Sequence, residues 1–287
     1  MIDLLTVHRS PHRPEEMVRG AGRVLARYDH RTQDSGNVSW IVRTPEADLF
    51  VKTAGEDASP PDGAPTPLLD HAARVALLRT AVEISRTVDH PVLARLRNVA
   101  ETPTGPMLIY DRAPGRLVGV PSEHRQDPGS SYRRFAAAEP GIRLAVFDQL
   151  LDAHRALAAA GWVACDLYDG CLMVDLATTR LTLIDLDTYQ RGAFPNGMGT
   201  MFGSSRFMAP EEFEFGATID ARTTVFTLGR LICHFGTGLT EDLADFCGGG
   251  AAGRVIARAA RPAREDRFAS VGEFADAWST ARSSTRP

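Results

Sequence analysis

Two aspartates in the middle of the chain are spaced so that they could share one chemical task. Asp166 and Asp185 lie nineteen positions apart, and each is next to a short apolar stretch, CLMVDL or LTLIDLD, that predicts a strand. A strand–turn–strand unit can bring both carboxylates to one place, where one serves an acceptor hydroxyl and the other holds a metal ion. Aspartates also commonly end strands and begin turns, so the spacing alone leaves both interpretations open.

A single lysine is the second candidate. Lys52 lies in the stretch DLFVKTAG, and the other 31 of the 32 basic residues are arginines. A lysine ammonium is a compact point charge on a flexible stem, whereas an arginine guanidinium is a broad planar fork. Either an arginine-rich composition leaves a stray lysine here, or this position requires a charge that a guanidinium cannot supply.

The elements that must position these residues fall into two parts. Alternating apolar residues predict three strands over about 21–55, a helix over about 67–88, and two more strands over LRNVAE and GPMLIYD. A long helix is predicted over about 141–160, and helices predominate from about 220 onward. The predicted fold class is α+β, with a small antiparallel-sheet lobe joined to a larger, mainly helical lobe. The proline-rich TAGEDASPPDGAPTP predicts a mobile connector.

Composition excludes several classes of protein. The chain has 287 residues, 44% of them hydrophobic, which is enough for a full core, and its net charge of -4 argues against nucleic acid or an anionic membrane as a partner. No apolar run approaches the ~20 residues that span a bilayer, and MIDLLTVHRSPHRPEE lacks the apolar centre of a signal peptide. The four cysteines show no C-x-x-C pairing, so reduced thiols and a cytoplasmic location are expected.

A third motif makes a family resemblance specific. Beyond Asp185 comes GSSRFMAPEEF, and with it the sequence resembles the protein kinase superfamily, particularly the bacterial Ser/Thr kinases of eukaryotic type. Lys52 matches the lysine of the third strand, Asp166 the aspartate of the catalytic loop, and Asp185 the magnesium-binding aspartate. Ala209-Pro210-Glu211 matches the motif that closes the activation segment. TTVFTLGRLICHFGTG resembles the buried central helix of the large lobe, and DRFASVGEF the last helices.

The resemblance implies a bilobal, protein-kinase-like fold over roughly residues 20–280. It divides the chain into an N-terminal extension (1–20), a small nucleotide-binding lobe (21–113), a large catalytic lobe (114–280) and a disordered tail (281–287).

The resemblance also implies the site. Asp166 and Lys52 would be catalytic, and Mg²⁺ would bind Asp185, with Asp169 or Asp187 as substitutes for a missing second ligand. ATP would be bound by the phosphate loop, by Lys52 and by the hinge at MLIYDRAPG, which together comprise Ser35, Gly36, Asn37, Val38, Ser39, Lys52, Tyr110, Asp111 and Ala113.

The sequence departs from the family pattern at four places. The phosphate loop DSGNVSWIV keeps one glycine, Gly36, where the family has three. Cys171 stands at the family's asparagine for the second magnesium, and a thiol is a poor ligand for hard Mg²⁺. Tyr168 replaces the lysine that Ser/Thr kinases carry two positions after the catalytic aspartate. Glu83, the candidate partner of Lys52, lies about two residues late on its helix and could equally be solvated.

Three further expectations concern the large lobe. By resemblance, Glu211 and Arg267 form an ion pair that ties the end of the activation segment to that lobe. His154, on the apolar face of its predicted helix, is expected to be a core histidine rather than a catalytic base. Cys165 replaces the arginine that binds a phosphorylated activation loop in many regulated kinases, which implies activity independent of such phosphorylation.

The resemblance implies a cytoplasmic, ATP- and Mg²⁺-dependent kinase that phosphorylates Ser/Thr hydroxyls of protein. A small-molecule kinase acting on sugar-like or antibiotic-like hydroxyls is the first alternative, favoured by Tyr168. A weakly catalytic pseudokinase that binds nucleotide or a partner is the second, favoured by Cys171 and the glycine-poor loop.

Overall fold

The computed structural model describes residues 2–58 and 65–283, and the chain divides into two compact units between Ala113 and Pro114. The α+β class is confirmed: a five-stranded antiparallel sheet is followed by a mainly helical region with small sheets. Part of the predicted connector, residues 59–64, and the last residues of the predicted tail, 284–287, lie outside the described residues.

The first unit contains one sheet and two helices. Its strands are β1 (Arg23–Tyr28), β2 (Val38–Arg43), β3 (Asp48–Thr53), β4 (Leu96–Thr102) and β5 (Gly105–Asp111), and its helices are α1 (Pro14–Ala21) and α2 (His71–Thr87). Neighbouring strands are antiparallel in the order β1-β2-β3-β5-β4. Along β3, buried Leu49, Val51 and Thr53 alternate with half-buried residues, which is the period of two expected of a strand.

The two faces of this sheet pack against different elements. Leu49 and Val51 of β3 share a core with Met17 and Val18 of α1, so part of the predicted N-terminal extension lies within this unit. On the other face, Leu108 of β5 packs with Leu78 of α2. Side chains on α2 therefore cover the face opposite to α1.

The helix α2 begins and ends where its sequence dictates. Asp70 is the N-cap residue, and its carboxylate accepts a hydrogen bond from the Ala73 amide at 2.8 Å. The helix ends at Thr87, shortly before Pro91, in agreement with the predicted end at HPVL.

The second unit is built on helices. They are α3 (Ser131–Ala136), α4 (Pro140–Ala159), α5 (Ala221–Gly236), α6 (Gly249–Ala259) and α7 (Val271–Ser283). The helix α5 is buried along nearly its whole length, as predicted for a central helix, and it contacts α4, α6 and α7. The helix α7 continues to Ser283, past the start of the predicted tail.

Short strands complete the second unit. They are β6 (Arg116–Leu117), β7 (Trp162–Val163), β8 (Leu172–Asp175), β9 (Arg180–Leu183), β10 (Gln190–Arg191), β11 (Phe194–Pro195) and β12 (Thr218–Ile219). β8 and β9 form an antiparallel hairpin to which β6 is added, so the two short strands predicted around the aspartates are present. Within the described ranges, no helix is both long and apolar enough to cross a bilayer.

Candidate functional site

The two candidate aspartates lie at the open end of the β8–β9 hairpin. Leu172 pairs with Leu183, and the Ile184 amide donates to the Cys171 carbonyl at 2.9 Å. Asp185 therefore follows the hairpin directly, while Asp166 precedes the short turn Asp169–Cys171 that leads into it. The antiparallel pairing brings the two flanking segments to the same end of the unit, as the sequence predicts.

Both aspartates have left-handed backbone conformations. The φ angle is 53° at Asp166 and 63° at Asp185. Only three other non-glycine residues of the described chain, Thr179, Leu239 and Glu241, have positive φ. Such a conformation carries strain that the surrounding structure must hold, and strained residues concentrate at functional sites. Asp185 is exposed and Asp166 is half-buried, so both remain in contact with solvent.

Cys171 connects the two aspartate segments. Its buried thiol lies 3.2 Å from the Asp166 carbonyl oxygen, and because a carbonyl can only accept, the thiol donates this bond. Burial, together with the nearby charges of Asp185 and Asp166, raises the pKa of the Cys171 thiol well above its usual value. Cys171 is therefore a protonated donor that supports the Asp166 backbone, and not a thiolate.

Tyr168 provides a neutral hydroxyl in the same loop. Burial raises the pKa of the Tyr168 phenol, and the charges of Asp166, Asp185 and Asp169 act in the same direction. The Tyr168 ring folds over Gly170, where any Cβ atom would overlap the ring carbons. Glycine is therefore required at 170 while Tyr168 keeps this position. The phenol of Tyr168 is thus neutral and has acidic neighbours.

The two substitute metal ligands differ in their surroundings. The Asp169 side chain is buried, with 1% exposure, and its carboxylate forms an ion pair with Arg206 at 2.8 Å. Asp187 is also buried. No group of three or more His, Cys, Asp or Glu side chains suited to a metal ion occurs within the ranges 2–58 and 65–283. Asp185 is thus the exposed carboxylate of the three predicted metal ligands.

Lys52 lies on β3, in the first unit. It is half-buried and directly opposite Ser39 of β2 and Leu108 of β5, so it points to the face that α2 covers. Glu83, the candidate partner of Lys52, is exposed on α2. Ser39, one of the predicted nucleotide-binding residues, is therefore a direct neighbour of Lys52 across the strand pair.

The predicted phosphate loop folds closely onto its own unit. Gln33 donates to the Asn37 carbonyl at 2.7 Å, and the Asn37 amide donates to the Ser35 hydroxyl at 3.3 Å. Gly36 has φ 79°, and a Cβ atom there would meet the Pro67 ring at 2.7 Å. Val38 and Ser39 belong to β2. The Asn37 amide thus already has an acceptor within the loop.

Arg74 is a functional candidate that the sequence interpretation missed. It is buried and donates to the Ala54 carbonyl at 2.8 Å, the Leu69 carbonyl at 2.7 Å and the Glu56 carbonyl at 3.1 Å. A Cβ atom on Gly36 would come within 3.0 Å of its guanidinium carbon, so Arg74 also packs under the loop. The available signal was its place on the apolar face of α2, four residues before Leu78.

The predicted hinge uses part of its hydrogen-bonding capacity internally. The Asp111 amide donates to the Arg95 carbonyl and the Arg112 amide to the Asp48 carbonyl, both at 3.1 Å. Among the described residues, no hydrogen bond is made by the Ala113 amide. Tyr110 lies on β5 opposite Phe50. Of the three amides over 111–113, those of Asp111 and Arg112 thus already have acceptors within the first unit.

The ion pair between Glu211 and Arg267 is present and bidentate. Arg267 donates to the two Glu211 carboxylate oxygens at 2.7 Å and 3.0 Å, and its side chain is fully buried. His154 is a core residue, as expected: its Nδ1 donates to the Leu150 carbonyl at 2.8 Å, and its Nε2 accepts from the Tyr189 hydroxyl at 2.9 Å. Both ring nitrogens are therefore engaged in structural bonds.

Two surface concavities lie away from the predicted residues. One, of about 510 Å³, includes Gln126, Arg133 and Gly238 in the second unit. The other, of about 340 Å³, is in the first unit beside Glu15 and Trp40. Neither contains any of the residues predicted to bind nucleotide or metal.

Comparison with known proteins gives no assignment: no protein-family model matches this sequence, and no curated protein matches it.

Proposed function

We propose that this protein is an ATP- and Mg²⁺-dependent phosphotransferase of the protein kinase fold that phosphorylates Ser/Thr hydroxyls of protein. One observation carries the proposal: Asp166 and Asp185 both have strained left-handed backbones at the open end of one hairpin, and both segments bond to Cys171. Backbone strain at two aspartates whose segments both bond to Cys171 favours a chemical role for them over a role as ordinary turn residues.

The acidic residues fit a hard divalent cation. Mg²⁺ prefers oxygen ligands and is usually held by one or two carboxylates together with substrate phosphates. When bound, the ion would neutralise the charge that develops on the phosphates. Asp185 is the exposed carboxylate suited to hold it. Asp166 would orient the acceptor hydroxyl and take its proton.

The residues of the first unit fit nucleotide phosphates and adenine. Lys52 would place its ammonium on the α- and β-phosphates, next to the Ser39 hydroxyl. Arg74 would fix the loop around Gly36, and the Ala113 amide would donate to adenine. These are the roles that the resemblance assigns to Lys52 and to the hinge, with Arg74 added from its contacts.

The order of elements supports the same fold. A five-stranded antiparallel sheet with a helix between its third and fourth strands precedes a helical unit with a buried central helix, as in the predicted bilobal arrangement. The bidentate Glu211–Arg267 pair supports the assignment of Ala209-Pro210-Glu211 as the end of an activation segment. A cytoplasmic location belongs to the proposal on the grounds of the cysteine pattern.

Two alternatives each have a specific observation in their favour. A kinase for small hydroxylated molecules is favoured by the neutral Tyr168 phenol at the position of the family's lysine. A pseudokinase is favoured by the protonated Cys171 thiol and by the loop around Gly36, whose Asn37 amide is already bonded.

Intact-mass spectrometry of the purified protein incubated with Mg-ATP separates these possibilities. The proposal predicts phosphate on serine or threonine, either of this chain or of proteins in a panel of acceptors. Phosphorylation of a sugar or an aminocyclitol with every protein unlabelled would replace the proposal with the first alternative. Nucleotide binding without transfer to any acceptor would replace it with the second.

A further inference from the structure

A buried ion pair joins the loop of Asp166 to the segment that precedes Ala209-Pro210-Glu211. Asp169 lies three residues after Asp166, and its carboxylate accepts a hydrogen bond from Nη2 of Arg206 at 2.8 Å. The exposed fractions of the two side chains are 1% for Asp169 and 22% for Arg206. The pair links two segments that are 37 positions apart in the chain.

The guanidinium of Arg206 is fixed by several contacts. Its Nε donates to the Ser204 hydroxyl at 3.1 Å, and its Cζ atom lies over the Phe207 ring, 4.6 Å from the ring centre. The backbone carbonyl of Arg206 accepts a bond from Arg230 of α5 at 3.3 Å. Because these contacts hold the side chain of Arg206 in place, they also restrict the movement of the backbone at Arg206.

That backbone passes next to Asp166. A Cβ atom built on Gly203 would lie 3.8 Å from the Asp166 Cα atom. The amides of Phe207 and Met208 both donate to the Ser204 carbonyl, at 2.9 Å and 3.2 Å, so the residues after Gly203 form one hydrogen-bonded turn. A displacement of Arg206 would therefore displace the turn that lies beside the candidate catalytic aspartate.

We propose that the Asp169–Arg206 ion pair is a built-in latch that holds residues 203–208 beside Asp166, so that the surface receiving the acceptor is assembled without a phosphate. This inference rests on the proposed function. Asp169 and Arg206 are positioning residues in it, and the proposal assigns the Asp169 carboxylate to Arg206 in place of the substitute metal-ligand role predicted from the sequence. The latch is formed by two unmodified side chains, so it needs no modifying enzyme to close it.

The arrangement of charges in the latch does not require the arginine that Cys165 replaces. Cys165, next to Asp166, supplies no cation for a phosphorylated segment. Here the charges are reversed: the loop carries the anion, Asp169, and the segment carries the cation, Arg206. The carboxylate of Asp169 thus supplies the negative charge of the ion pair, which in a phosphorylated segment would come from the added phosphate.

The test compares Asp169→Asn and Arg206→Gln with the double variant and with Asp276→Asn as a control. Asp276 forms an ion pair with Arg155 in the same unit, but both side chains are largely exposed. Backbone hydrogen exchange measures the amides of Phe207 and Met208, with amides of α5 as an internal reference for the fold. Initial rates measure KM for the acceptor protein and for ATP separately.

The latch predicts exchange at Phe207 and Met208 that is faster by ~10-fold or more in each single variant, the scale of a lost charge-assisted hydrogen bond. It predicts a similar rise in KM for the acceptor, with KM for ATP and exchange in α5 unchanged. The double variant should be no worse than Arg206→Gln, because the two groups act as one pair. Asp276→Asn should match the wild type in each readout.

Two results would overturn the latch. One is wild-type exchange at Phe207 and Met208 in a folded Asp169→Asn variant, and the other is full additivity of the two single changes. A different result would separate this inference from the proposed function. Faster exchange in Asp169→Asn, combined with a wild-type chain that transfers no phosphate, would refute the kinase and leave the positioning role of the pair standing.

Discussion

Arg267→Met tests whether the Glu211–Arg267 pair holds the second unit together. Arg267 donates to both carboxylate oxygens of Glu211 and to the carbonyls of Arg261, Arg222 and Pro262, at 2.7 Å, 3.1 Å and 2.8 Å. Methionine has a similar length but no donor, so these bonds are lost while most of the packing is kept. The Glu211 carboxylate then remains buried without its main cation.

The expected cost is about 3–5 kcal/mol in the free energy of unfolding, the usual range for breaking a buried ion pair by removing one partner. The Thr223 hydroxyl at 2.8 Å and Arg264 at 3.1 Å still bond to Glu211, which favours the lower end of that range. Since natural domains are stable by about 5–15 kcal/mol, the variant should fold with a much lower urea midpoint.

Urea unfolding at pH 7, followed by circular dichroism and by the fluorescence of Trp162 and Trp278 in the same unit, measures this loss. Arg155→Met is the matched control, because it breaks an exposed pair with Asp276 and should cost under about 1 kcal/mol. If Arg267→Met costs no more than this control, the reasoning is wrong.

The pH dependence of the same pair has a definite sign. Burial alone would raise the pKa of the Glu211 carboxyl, but the hydrogen bonds and charge of Arg267 hold it below its usual value of 4.5. A lowered folded-state pKa gives stability that is present above pH 4.5 and is lost as the pH falls through the folded value. Arg267→Met should reduce this acid sensitivity.

Three further predictions concern phosphate binding, regulation and a buried acid. Lys52→Arg should lower nucleotide turnover by at least ~10²-fold, because a guanidinium cannot replace the ammonium; wild-type turnover would refute the assignment. Phosphatase treatment should leave activity unchanged, whereas a loss restored by rephosphorylation at Thr200, Ser204 or Ser205 would contradict the account. Burial raises the pKa of Glu212 from 4.5 to about 7, so stability should fall as the pH rises between these values. Glu212→Gln should remove this fall in urea unfolding curves, and an unchanged pH profile would count against the assignment.

The sequence predicted the elements whose patterns are local. The alternation in DLFVKT and the apolar spacing from Val75 to Val82 are set by one face of a strand or helix meeting the core, and both elements are present. The predicted start of the helix at about 67 was too early, because the helix begins at His71 and Leu68 is exposed. His154 was interpreted correctly for the same reason, since its place on an apolar helix face implies burial.

Contacts between distant polar residues could not be read from the sequence. Nothing in the pattern around Asp169 names Arg206, since the pair depends on how a loop and a later segment pack in three dimensions. Arg74 was missed because the acceptors of its hydrogen bonds are backbone carbonyls, and a backbone acceptor leaves no side-chain signal in the sequence. The short helix α1 was missed as well, because eight residues carry too little periodicity.

The central claim is that Asp166 serves phosphoryl transfer, and a comparison of Asp166→Asn with Asp175→Asn tests it most directly. Asp175 lies at the far end of the same hairpin, where its carboxylate bonds to Ala177 and Thr178. With nucleotide affinity measured in parallel, Asp166→Asn should lose ~10²–10⁴-fold in the rate of phosphate transfer from Mg-ATP to protein serine or threonine, while it still binds nucleotide. Asp175→Asn should keep the wild-type rate. Transfer by Asp166→Asn at the wild-type rate would contradict the account.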